Sequence, residues 1–145
     1  MNINKHMKQL LIRNKEDSIF KKINRNIEKL EFVEVDDCIL LNHKNFNVTE
    51  SIILDKTGFE ASHNHVHLDD LASALEILAL WKIELLKEYP TRNFYLILSS
   101  ELDGTEPVLR FYQPRINEPD WIKRDDLDSY SEEAIMVIEL SSETH

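Results

Sequence analysis

Glycine is scarce: the 145-residue chain has two, Gly58 and Gly104. Phosphate-binding loops need several glycines in a short span, so neither G-x-G-x-x-G nor G-x-x-x-x-G-K-S/T can be written. A G-x-S-x-G nucleophile elbow is excluded on the same ground. Cysteine occurs once, at Cys38, so no internal disulfide can form and the thiol is expected to stay reduced. Long apolar runs are also missing. Lys82 and Glu84 interrupt the longest one, so no transmembrane span is expected. No basic segment followed by an apolar stretch opens the sequence, so no secretory signal is expected and the chain reads as cytoplasmic.

Positive charge is in short supply after the first thirty residues. Residues 1–30 carry eight Lys/Arg against three Asp/Glu, a net of +5, and the remainder carries nine against twenty-four, a net of −15. An acidic body repels a phosphate backbone, so direct nucleic-acid binding is not expected. A basic protein is the partner such a surface attracts, although an acidic surface also serves solubility alone. Residues 1–30 form a basic helical segment in this reading. Ile3, Met7, Leu10 and Leu11 are helically spaced, Asn14 to Ser18 is a polar break, and Ile19, Phe20, Ile23, Ile27 and Leu30 make a second apolar stripe.

The most apolar stretch runs from Asp69 to Tyr89. Leu71, Ala74, Leu75, Leu78, Trp81 and Leu85 recur at three- and four-residue steps, which predicts a long central helix with Asp69 as N-cap and Pro90 as its stop. Phe32–Leu41 and Phe46–Leu54 read as a hairpin joined at Asn42–Asn45. Phe94–Leu98 is apolar on both parities, hence a central strand. Val108–Tyr112 follows a turn at Leu102–Thr105, and Ala134–Leu140 reads as the last strand. The order predicts one α+β domain over residues 1–145: a mostly antiparallel five-stranded sheet covered by the long central helix and an N-terminal helix. The oligomeric state stays open.

His63, His65 and His67 stand at alternate positions, and in an extended chain their side chains share one face. With Asp69 they make a candidate zinc-type ligand set for a metal-dependent hydrolase. His65-Val66-His67-Leu68-Asp69-Asp70 is similar to the H-x-H-x-D-H signature of metallo-β-lactamase-like hydrolases, with Asp70 where the last histidine would stand. The alternative is a polar approach to the helix N-terminus. Cys38 follows Asp36-Asp37, an acidic flank that disfavours a thiolate, so it reads as a core residue and not a nucleophile. Ser99-Ser100 ends a central strand without a histidine fixed beside it by sequence. No cofactor is expected.

Asp125, Asp126, Asp128, Glu132 and Glu133 form an acidic run with Tyr130 inside it and Trp121 just before it. Aromatic anchors among carboxylates suit a basic partner. Asp103 and Glu106, on the preceding turn, are secondary candidates.

Asp103-Gly104-x-x-Pro107-Val108-Leu109-Arg110-Phe111-Tyr112, Glu118-Pro119-Asp120-Trp121-Ile122, Leu127-Asp128-x-Tyr130 and Glu133-Ala134-Ile135-Met136-Val137-Ile138 follow one another in residues 103–138. That arrangement resembles small bacterial immunity proteins of contact-dependent growth inhibition and related polymorphic toxin systems. The resemblance implies a non-catalytic cytoplasmic inhibitor that binds the C-terminal domain of one cognate toxin, often a basic nuclease, and blocks its active site.

Overall fold

The structure, a computed structural model, describes residues 1–17, 30–42 and 55–142. Its elements are β1 (Asn2–Ile3), α1 (Lys5–Asp17), β2 (Phe32–Val35), β3 (Cys38–Leu41), α2 (Lys56–His63), β4 (His65–His67), α3 (Leu71–Glu88), β5 (Phe94–Ser100), β6 (Val108–Tyr112), a 3-10 segment (Arg124–Ser129) and β7 (Ala134–Leu140). Five strands form one sheet in the order β1-β7-β5-β6-β4, every neighbouring pair antiparallel. This is the expected α+β layer, with β5 at its centre. Among the described residues no helix is long and apolar enough to cross a membrane.

Strand alternation sends β5 side chains to two different cores. Leu96 and Leu98 meet Leu109, Phe111 and Met136 beneath α3, which contributes Leu71, Ala74, Leu78, Trp81 and Leu85. Met7 and Leu10 of α1 close the same layer. Tyr95 and Ile97 turn the other way, toward Tyr112, Ile135, Val137, Ile122 and Leu127. The 114–133 segment and Ala61 of α2 therefore cover the second face. Burial on both faces is why β5 is apolar on both parities.

Several boundaries differ from the sequence reading, each for a local reason. Asp70, not Asp69, caps α3: its carboxylate accepts from the Ser73 N–H at 2.7 Å. Asn14–Asp17 does not break the first helix, since α1 runs to Asp17. The helix is instead set at its start by Asn4, whose side chain accepts from the N–H groups of Met7 and Ile135, both at 3.0 Å. Phe32–Leu41 is not one strand. It folds back at Asp36-Asp37, where φ is 49° and 68°, and β2 pairs β3 as a separate two-stranded sheet. A two-residue hairpin loop needs positive φ at both central positions, which Asp tolerates better than most residues. The predicted second stripe at Ile19–Ile27 and the predicted strand Phe46–Leu54 lie outside the described residues. The short strands β1 and β4 belong to the five-stranded sheet, and β2 and β3 stand outside it.

Candidate functional site

The register of the sheet gathers the acidic candidates. Ser100 of β5 faces Ala134 of β7, and Ser99 faces Val108 of β6. The Glu101–Pro107 turn and the Tyr130–Glu133 loop therefore leave the sheet at the same end. Within the turn, Asp103 accepts from the Thr105 N–H at 3.0 Å and the Thr105 hydroxyl at 2.6 Å. Those bonds hold the Asp103 carboxyl below its ordinary range. Gly104 has φ 88°, and a Cβ there would lie 3.4 Å from Leu10, so the turn is seated on α1. Glu106 is exposed and also has positive φ.

The acidic run is fixed from below. Leu127 is buried among Tyr95, Ile135 and Val137, which presents Asp125, Asp126 and Asp128 to solvent. Asp128 also holds the start of α1, where its carboxylate accepts from the Lys5 N–H at 2.9 Å. Tyr130 is half-buried, and its hydroxyl accepts from the Lys123 N–H at 3.1 Å. Glu132 and Glu133 are exposed, and the Glu133 carbonyl accepts from the Asn4 amide at 2.7 Å.

Ion pairing separates the two ends of the sheet. At the far end Arg92 holds Glu34 at 3.1 Å and Asp37 at 2.9 Å, Lys56 holds Asp36 at 3.6 Å, and Arg115 holds Glu60 at 2.8 Å. Arg124 holds Asp120 at 2.8 Å. Asp103, Glu106, Asp128, Glu132 and Glu133 at the near end, and Asp125 and Asp126 on the adjoining 3-10 segment, have no basic partner at ion-pair distance among the described residues. Unpaired like charges on one end of a small domain create a field that the paired end lacks.

The structure divides the histidine candidates. His63 closes α2, with its ring stacked on Phe59 and Nε2 2.8 Å from the Leu41 carbonyl. His65 and His67 lie on β4, and Asp69 is exposed beyond it. Among the described residues no three His, Cys, Asp or Glu side chains gather in a way that could hold a metal ion. The expected common face fails because the chain leaves α2 at Asn64 instead of running extended from His63. Ser99 is no closer to a histidine dyad, since Val108 stands between it and His67 in the cross-strand row.

Sequence reasoning missed the strongest buried polar group. Glu60 is fully buried and accepts from the N–H groups of Ile39 and Gln113, the Gln113 amide and Arg115, at 2.6–2.8 Å. Asn64, also fully buried, accepts from the Leu41 N–H and donates to the Ile39 carbonyl, both at 2.8 Å, and donates to the Phe111 carbonyl at 3.3 Å. Together they lock the β2–β3 hairpin and β6 onto α2. Neither residue carries a spacing signal in the sequence. The four donors to Glu60 and the three partners of Asn64 are all groups of the protein's own framework, so the hub is structural.

Cys38 sits beside this hub, fully buried. Burial, with the Glu60 carboxylate, pushes its thiol up to about 12 from an ordinary 9. The folded value lies above the unfolded one, so the contribution is whole below pH 9 and is lost as pH climbs toward 12. Relative to Cys38→Ala, the wild-type protein is expected to lose about 1 kcal/mol of unfolding free energy between pH 8 and pH 10. Urea titrations of both proteins at the two pH values check this, and parallel losses would contradict it.

The fold, the paired end and the unpaired end all fall within one family match. The chain belongs to the family described as Uncharacterized protein PM0498 family. The family model matches residues 2–145, so it takes in both sheet faces, the hub and the acidic end. No curated protein and no solved structure matches the chain.

Proposed function

We propose that this member of the PM0498 family is a cytoplasmic inhibitor of the immunity-protein kind, which captures the basic C-terminal domain of a cognate toxin on the acidic end of its sheet. One observation carries the reading: seven carboxylates on two separated segments, five at that end and Asp125 and Asp126 on the adjoining 3-10 segment, have no basic partners among the described residues, while the carboxylates of the far end are held by Arg92 and Arg115. The −15 net charge after residue 30 supports it, as does the resemblance of about residues 93–140 to immunity proteins. An inhibitor of this kind works by surface complementarity and steered encounter, not by a catalytic group. Trp121, 43% exposed, and Tyr130 supply aromatic contact area beside the carboxylates.

The test is charge reversal with the fold preserved. Asp128 and Asp103 are left alone, because each holds a backbone N–H. Replacing Asp125, Asp126, Glu132 and Glu133 together by lysine is expected to weaken the complex with the toxin domain encoded beside this chain by at least about tenfold, mostly in association rate. Glu88→Lys, on the exposed end of α3, is the off-site control and is expected to leave the affinity within about twofold. Equal effects from the quadruple variant and the control would remove the acidic end from the interface.

A further inference from the structure

Arg110 is a half-buried cation with no carboxylate at ion-pair distance among the described residues. Arg92, Arg115 and Arg124 each hold a carboxylate at 2.8–2.9 Å. Arg110 is half-buried in the middle of β6 and holds none at ion-pair distance among the described residues, in a chain with ten more acids than bases. A single N–H of its guanidinium is used, donating to the Ala61 carbonyl at 2.8 Å. Glu133 is the carboxylate whose charge reaches it, from beyond ion-pair distance. Burial outweighs that attraction and lowers the pKa of the guanidinium. Buried charge is ordinarily matched by an opposite charge, so an unmatched one with free donors points to a ligand.

The surroundings have the right chemistry for one. The β4–β6 register sets His65 opposite Arg110 and His67 opposite Val108, so all three polar side chains stand on the sheet face that carries Ile97 and Tyr112. The His65 and His67 rings are edge to face, 5.3 Å apart. Nδ1 of His65 lies 2.5 Å from the Ser62 carbonyl, which fixes the ring with Nε2 outward. His67 is exposed and makes no hydrogen bond among the described residues. Trp121 forms the wall, with the Arg110 guanidinium 4.8 Å from its ring centre.

We propose that Arg110, His65 and His67, walled by Trp121, form a binding site for a small oxyanion, either a carboxylate or a phosphate. The bond to Ala61 alone is a cap on the last turn of α2, and a lysine could make it. A planar fork with its remaining N–H groups free is what two oxygens of one anion require. This site faces away from the α3 layer and takes the opposite charge from the acidic end; it shares Trp121 with the proposed toxin surface, and an anion titration without any toxin tests it separately from the inhibitor reading.

The test follows the Arg110 Nε–Hε and the His65 and His67 ring resonances of the full chain by NMR. Sodium phosphate, sodium acetate and sodium chloride are titrated at constant ionic strength. Saturable movement with phosphate alone assigns a phosphate site, and movement with acetate assigns a carboxylate site. Arg110→Lys, which retains the charge and the α2 cap, is expected to weaken either by about tenfold. Movement no greater than with chloride overturns the proposal, as does saturation that persists unchanged in Arg110→Lys. The wild-type Arg110 signal reports on the site even if the variant folds poorly.

Discussion

Replacing Glu60 by alanine is expected to cost about 3–5 kcal/mol of unfolding free energy. Glu60 is fully buried and is the common acceptor for Ile39, Gln113 and Arg115. Its removal strands a guanidinium that is otherwise matched at 2.8 Å, along with two backbone N–H groups. Breaking one half of a buried pair costs far more than the net worth of the pair, because the other charge keeps its desolvation penalty. Against a typical stability of about 5–15 kcal/mol, that is a large fraction. Urea unfolding monitored by far-UV circular dichroism measures it as a lower midpoint at unchanged slope. Removing both members, as Glu60→Leu with Arg115→Met, is expected to cost less than Glu60→Ala alone. A loss below about 1 kcal/mol for Glu60→Ala would mean the hairpin is held by something other than this hub.

Trp81→Ala is the second large effect, expected at about 3–5 kcal/mol. Trp81 is 3% exposed and lies edge to face on Phe111, their ring centres 5.3 Å apart. Phe111 also meets Phe94 and Phe32, so the indole supports a cluster that ties α3, β5, β6 and the hairpin together. A cavity there cannot collapse readily, since the strands around it are fixed by pairing on both sides. Thermal unfolding of the variant checks the size of the loss. Trp121→Ala, at the surface, is expected to fall within about 1 kcal/mol of wild type. Equal losses from the two tryptophan variants would contradict this account of the core.

The features legible in the sequence are those that repeat. The α3 stripe and the two-sided apolarity of β5 are periodic, and each is readable to within a few residues. Asp70 takes the cap from Asp69 because capping depends on which carboxylate reaches the Ser73 N–H, a matter of one residue's backbone angles. The Asp36-Asp37 turn is hidden because it lacks glycine and asparagine, the usual marks of a positive-φ loop. β1 and β4 are two and three residues long, too short for any alternation to show. Glu60, Asn64 and Arg110 are illegible for a different reason: a polar residue inside an apolar element looks the same whether it faces solvent or a buried partner. The acidic candidates are readable as composition. Their pairing state is not, because Arg92 reaches Asp37 and Arg115 reaches Glu60 across fifty-five residues each.

The most direct measurement is the affinity of the purified chain for the toxin domain encoded beside it, taken at low and at physiological salt. A 1:1 complex is expected that suppresses the domain's activity and associates more slowly as salt rises, since screening weakens the field of the acidic end. A basic domain that shows no complex at either salt concentration, or a complex whose association rate ignores salt, would contradict it.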